Sequence, residues 1–168
     1  VNDGRSNWAK EVLNASMAMW WWPDPFVDEA AFLRYISHTS SNLLKVVAQA
    51  LGPADNQTLE KFGFAVGLAN FFVAVPKLLA VGRSPLIDGN PDFLRLLALR
   101  GLSNLKEARS SRGKISAIAG KALLSGWQAK TILKQAANQP EKVLTGIRLP
   151  SGIFDSSSLL LRAITGWW

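Results

Sequence analysis

Asp24 and Asp28 stand four residues apart, the spacing at which two carboxylates share a helix face and can hold magnesium against a diphosphate. Pro25 lies between them, and Trp20-Trp21-Trp22-Pro23 runs up to them. The pair therefore reads as a loop and a helix start rather than a metal site. His38 is the only histidine, with Ser37, Thr39, Ser40 and Ser41 around it. On a helix these neighbours point in different directions, so adjacency makes no nucleophile–base pair. A polar or half-buried structural histidine is expected. There is no cysteine, which excludes a disulfide scaffold, a zinc finger, an iron–sulfur protein and a thiol enzyme. A single histidine argues against a histidine-rich metal site and a Ser-His-Asp hydrolase. No P-loop and no G-x-G-x-x-G marks a nucleotide cradle.

Whatever function the chain has must be positioned by helices. Its 168 residues, 48% hydrophobic and 18% charged, suffice for one domain over 1–168 with a real core. Breaks fall at Trp22-Pro23-Asp24-Pro25, Leu51-Gly52-Pro53, Gly82 to Pro91, Gln139-Pro140 and Leu149-Pro150-Ser151-Gly152. Between them the apolar period is helical. Phe32, Tyr35, Ile36, Thr39, Leu43, Val46, Val47 and Ala50 form one stripe. Asp28-Glu29 suits the first turn of that segment, and Gly52-Pro53 should stop it. Ile115, Ile118, Ala119, Ala122, Leu123, Ala129, Ile132 and Leu133 form a second stripe. No strand alternation is visible. The expected fold class is all-α, with about five or six helices on one core.

Phe62 to Gly82 is apolar on nearly every face and long enough for a membrane span of roughly 20 residues. Asn70, Pro76 and Lys77 interrupt it, and small residues are frequent, so a buried central helix is the preferred reading. Gly63, Ala65, Gly67 and Ala69 would let neighbouring helices approach closely.

Net charge is +7, and it is uneven. Residues 1–92 carry seven basic and nine acidic side chains; residues 93–168 carry twelve basic and three acidic. Arg109, Arg112, Lys114, Lys121, Lys130 and Lys134 are the candidate surface for an anionic partner. A plain solvated face, as in a protein of a basic-proteome compartment such as the mitochondrion, is the preferred reading over specific nucleic-acid binding. Seven tryptophans are many for this length. Trp20, Trp21 and Trp22 in the Trp-rich segment 1–23, with Trp167 and Trp168 at the tail, cannot all enter one core. They are the candidate interface with a partner or a lipid headgroup layer, and a bridge by Trp20–Trp22 between two helices of the same domain is the alternative. No basic stretch followed by an apolar one marks a secretory leader, and the sequons at Asn14 and Asn56 read as chance.

Two passages carry a resemblance: Asp24-Pro25-Phe26 through Phe32-Leu33-Arg34-Tyr35-Ile36-Ser37-His38-Thr39-Ser40-Ser41 to Leu51-Gly52, and Phe62 through Pro76-Lys77 followed by Gly82-Arg83-Ser84-Pro85-Leu86. Over roughly residues 24–168 the chain resembles the C-terminal half of the squalene/phytoene synthase family. It is most similar to the divergent branch that contains a mitochondrial complex I assembly factor and its alphaproteobacterial relatives. The resemblance implies a partial isoprenoid-synthase-like bundle. It also implies a loss. In active members an aspartate-rich motif on this helix binds the magnesium that grips the substrate diphosphate. Here Asn70-Phe71-Phe72 keeps the start, but the arginine position is Val73 and the aspartate positions are Ala74 and Leu78. Without carboxylates or a cationic clamp the main electrostatic contribution to ionising a diphosphate is forfeited.

The resemblance therefore implies no catalytic residue, no metal and no cofactor. It implies a pseudoenzyme in mitochondria, in the matrix or at the inner membrane. Such a protein would be a structural subunit or assembly factor of a large complex, respiratory complex I first. Its partners would be protein subunits, with an anionic lipid such as cardiolipin as a further candidate. Two alternatives stand beside it: an isoprenoid-binding protein or residual prenyl synthase, and a basic RNA- or ribosome-associated protein, for which no RNA-binding motif is present.

Overall fold

Asp28 starts the helical fold. Its carboxylate accepts the N–H of Ala31 at 2.6 Å and caps α1, Glu29–Ile36, with Glu29 in the first turn where negative charge suits the helix dipole. The computed structural model describes residues 26–149 and Trp168. After α1 the backbone widens into a π-helical turn, Ser37–Ser41, and resumes as α2, Asn42–Leu51. Gly52 ends α2, as Gly52-Pro53 foretells. Asp55 caps α3, Asn56–Ala80, and Asn90 caps α4, Pro91–Ser110, with proline at the first helical position. Two 3₁₀ segments follow, Arg112–Lys114 and Ala119–Gly126, then α5, Ala129–Asn138, and the single turn α6, Lys142–Thr145. The fold is all-α, with five α-helices of eight or more residues among those described. Among the described residues the only β-type pairing is an isolated antiparallel bridge, Ala54 to Ile115.

α3 is the axis. Phe62, Ala65, Leu68, Ala69, Phe72 and Val75 on it are fully buried. At roughly 1.5–3 kcal/mol for a buried large apolar side chain, this one helix supplies much of the core. It runs through Pro76 to Ala80, so the proline does not end it. It is long and apolar enough to cross a membrane, and half of its most apolar window is buried here. α4 lies antiparallel on it: Lys61 pairs with Glu107 at 2.7 Å, and Leu68 packs on Gly101. Leu133 of α5 meets the other side of Gly101. An aromatic cluster of Phe26, Phe32, Tyr35 and Phe71 closes one end.

The close approach expected of the small residues on α3 occurs at Gly63 and Gly67. A Cβ at Gly63 would lie 2.5 Å from the Cα of Ser41, and one at Gly67 would lie 2.5 Å from the Cβ of Ser40 and 3.0 Å from Ile36. The π turn therefore presses directly on the α3 backbone.

The first stripe is not buried as its period suggests. An unbroken helix would carry the inward face from Phe32 and Ile36 on to Leu43, Val47 and Ala50. The π turn inserts one residue, which rotates all that follows by about 100°. The buried positions become Phe32, Ile36, Ser41 and Ala48. Leu43, Val47 and Leu51 are left 45%, 44% and 46% exposed. The second stripe is also divided. Ile115 sits at the bridge, Ala119 to Gly126 is 3₁₀, and only Ala129 to Asn138 is α-helical. At Gly126, where the 3₁₀ segment ends, a Cβ would collide with Val66 and Phe62, so the chain lies against α3 too closely for a side chain.

Gly63→Ala should therefore destabilise the protein by roughly 1–3 kcal/mol in urea unfolding, although alanine is the better helix former. Gly113→Ala, with nothing within 4 Å of the new Cβ, should be near neutral. At Asp55 the Thr58 hydroxyl and N–H both donate to the carboxylate, at 2.7 and 2.9 Å, and hold its pKa below the ordinary value. The depressed pKa means that this contribution is present above about pH 4 and fades as pH falls through the folded-state pKa. Asp55→Ala should lower the melting temperature at neutral pH, and the deficit relative to wild type should shrink in acid.

Candidate functional site

The π turn, α2, the middle of α3 and the 3₁₀-helix Ala119–Gly126 enclose a groove of about 390 Å³. Leu43, Leu44, Val47, Val66 and Ala122 give it apolar walls, and Gly63 lies in its floor. Thr39, Ser40, Asn70 and Ser125 supply the polar atoms of its lining. The Thr39 hydroxyl donates to the Tyr35 carbonyl at 2.7 Å, a backward bond that bends helices and here meets the widened turn. The Ser41 hydroxyl donates to the Glu60 carbonyl and so joins the turn to α3. Both hydroxyls thus serve the backbone rather than a reacting group.

One wall continues past the groove. Leu43, Val47 and Leu51 stand one turn apart along α2. At the far end Gly52 packs on Ser116 and approaches the backbone of Ala119, next to Ile118, which is 58% exposed. The hydrogen bonds of Ser116 N–H to Pro53 and of Asp55 N–H to Lys114 clamp these two chain segments together. The result is an apolar face that the core does not use.

The positions carried over from the synthase motif lie on α3 beyond the groove. Val73, Ala74 and Leu78 are half-buried, with Asn70 at the groove itself. Among the described residues no three His, Cys, Asp or Glu side chains come together in a way that could hold a metal ion. Asp28 is the α1 cap, and Asp24 lies outside the described residues. His38 is exposed rather than half-buried, and its Nδ1 accepts from Asn42 at 3.3 Å. It faces no nucleophile.

The six basic candidates do not form a single set. Lys114, Lys121, Lys130 and Lys134 are exposed, the last two one turn apart on α5. Arg112 is half-buried. Arg109 turns inward, and its Nε donates to the Trp168 carbonyl at 3.0 Å. Arg109, a candidate contact for an anionic partner, thus has its guanidinium engaged within the chain. Trp168, a candidate for the partner interface, is buried against its own chain. It is 3% exposed, stacks edge-on against Phe62 with centroids 5.0 Å apart, and meets the bare backbone of Gly120. The space left by a glycine beside a phenylalanine takes the indole, which is why it enters this core and not a partner's. Trp20, Trp21, Trp22 and Trp167 lie outside the described residues.

The groove was missed from sequence because its wall reads as core. The Tyr35…Thr39-Ser40-Ser41 run, polar inside an apolar helix, is the signal that marks it. Comparison with protein-family models, with curated proteins and with solved structures gave no match.

Trp168→Ala should cost the isolated chain about 3 kcal/mol of stability, measured by thermal or urea unfolding. If the indole served only a partner, the isolated variant would unfold like wild type.

Proposed function

We propose that this chain is a non-catalytic helical protein whose work is to hold another protein. By its resemblance to the degenerate branch of the squalene/phytoene synthase family, it is a structural subunit or assembly factor of a large mitochondrial complex, respiratory complex I first. The observation that carries this reading is the apolar wall of Leu43, Val47 and Leu51. It is turned out of the core beside a groove and carries no nucleophile, base or metal ligand set. Uncovered apolar surface of this kind is a liability for a free protein and an asset for one with a partner. The apolar residues at Val73, Ala74 and Leu78 support the loss of diphosphate chemistry. The mitochondrial placement rests on the resemblance.

The groove's apolar lining favours a second reading, a bound prenyl or acyl chain. The exposed lysines would then face lipid headgroups such as cardiolipin. RNA binding has only the lysines to support it.

Native separation of the endogenous protein in mild detergent, with mass spectrometry across the size range, tests the docking function. Co-migration with a megadalton-scale organellar complex, or with its precursors, is expected. Val47→Asp should abolish that co-migration and change the stability of the isolated chain by no more than about 1 kcal/mol, because Val47 is 44% exposed and lies outside the core. Migration of the wild-type protein as a free monomer would reject the docking function, and a co-purifying lipid would then favour the second reading.

A further inference from the structure

A second exposed surface, on α4 and α5, joins apolar side chains to unpaired charge. Leu96 is 64% exposed and Leu99 50%. Neither lines the groove. Arg95, Leu99, Leu102 and Lys106 follow at i, i+4, i+7 and i+11, so they lie along one line of α4, with Leu96 beside it. Arg100 and Glu107 lean the other way, to α3: Arg100 lies over the Phe64 ring and Glu107 pairs with Lys61. The line therefore runs on the flank towards α5.

α5 adds two cations. Leu133 touches the bare backbone of Gly101, and Leu144, just past α5, lies beside Gly89, just ahead of α4, so the two helices run antiparallel. Counted from the Gly101–Leu133 contact, Lys134 stands level with Arg100 and Lys130 with Asn104. Both lysines are exposed, and both fall between the levels of Arg95 and Lys106. Arg95, Lys106, Lys130 and Lys134 thus gather over roughly 16 Å of helix. None of the four is paired with a carboxylate among the described residues. From Phe93 to Asn138 the only acid is Glu107, which Lys61 holds at 2.7 Å. Asp92, in the first turn of α4, and Glu141, just past α5, stand at the same end of the helix pair, outside this stretch.

The charge selects an anionic partner, and the leucines select among anionic partners. A nucleic acid would leave Leu96 and Leu99 against phosphate, and beyond Phe93 neither helix holds an aromatic ring for a base to stack on. A bilayer interface matches both parts: the leucines enter the apolar layer, while the long stems of Lys and Arg reach back to the headgroups.

We propose that α4 and α5 form a peripheral membrane face, in which Arg95, Lys106, Lys130 and Lys134 bind anionic phospholipid headgroups and Leu96 and Leu99 enter the interface. This face lies on other elements than the groove and does not rest on the docking function.

Vesicle flotation of the full 168-residue chain tests it. Vesicles of phosphatidylcholine alone are compared with vesicles that are about a third phosphatidylserine. The anionic vesicles should hold the chain about tenfold more tightly or more, and the difference should shrink as salt screens the charges. Lys130→Glu with Lys134→Glu should erase most of that preference. Leu96→Gln with Leu99→Gln should weaken vesicle binding about threefold or more, and leave unchanged any attraction to polyglutamate or single-stranded RNA, which offer charge without an apolar layer. Circular dichroism should stay that of wild type, since all four side chains are exposed. The single variants Lys134→Glu and Leu96→Gln repeat the test should a double variant lose its helical signal. Val47→Asp, in the groove wall, should bind vesicles like wild type. Equal binding to the two kinds of vesicle overturns the proposal, as does binding to neither. RNA or polyglutamate held as tightly as anionic vesicles overturns it in favour of a soluble acidic partner. Loss of vesicle binding in Val47→Asp, with the lysine and leucine variants unaffected, overturns it by moving the lipid contact to the groove.

Discussion

The structure depends on how closely one helical turn can approach another backbone. Gly63 and Gly67 remove two side chains from the same face of α3. The turn Ser37–Ser41 fills the space, with Ser40, Ser41 and Ile36 at distances a Cβ would forbid. Close approach brings many dispersion contacts to bear. It also makes α3 the common neighbour of every other long helix, because Gly101 and Gly126 admit Leu133 and the 3₁₀ segment by the same device.

That seam has a consequence for the surface. A π turn adds one residue to the helix that carries it, and the inward face moves on by one position. Ser41 and Ala48 take the buried places, and their small size suits the seam. The larger Leu43, Val47 and Leu51 are carried outward. The same local distortion thus produces the tight packing on one side and the apolar wall on the other. Wide turns of this kind are often found at functional sites, and here the link is geometric.

Around the wall, the polar groups near the core serve architecture. Thr39, Ser41, Asp28, Asp55 and Asn90 all bond to backbone, as caps or as bridges between segments. Arg109 secures the Trp168 carbonyl. What the core leaves unused is the apolar wall of Leu43, Val47 and Leu51, and it is on this wall that the proposed docking function rests.

Sequence alone determined the helical class, the stops at Gly52-Pro53 and Gly82 to Pro91, the helix start at Asp28-Glu29, and α3 as a central helix approached closely at its small residues. Each of these follows from local rules: periodicity, capping chemistry and the missing Cβ of glycine. Only the tertiary structure decided which face of the Phe32–Leu51 segment is buried. The periodic pattern assumes 3.6 residues per turn throughout, and one extra residue, in a turn packed against Gly63 and Gly67, overturns it for everything downstream. The same holds for Trp168 and Arg109. Their types suggest a partner, but a gap beside Phe62 and Gly120, built by residues distant in sequence, takes the indole of Trp168, and Arg109 bonds to its carbonyl.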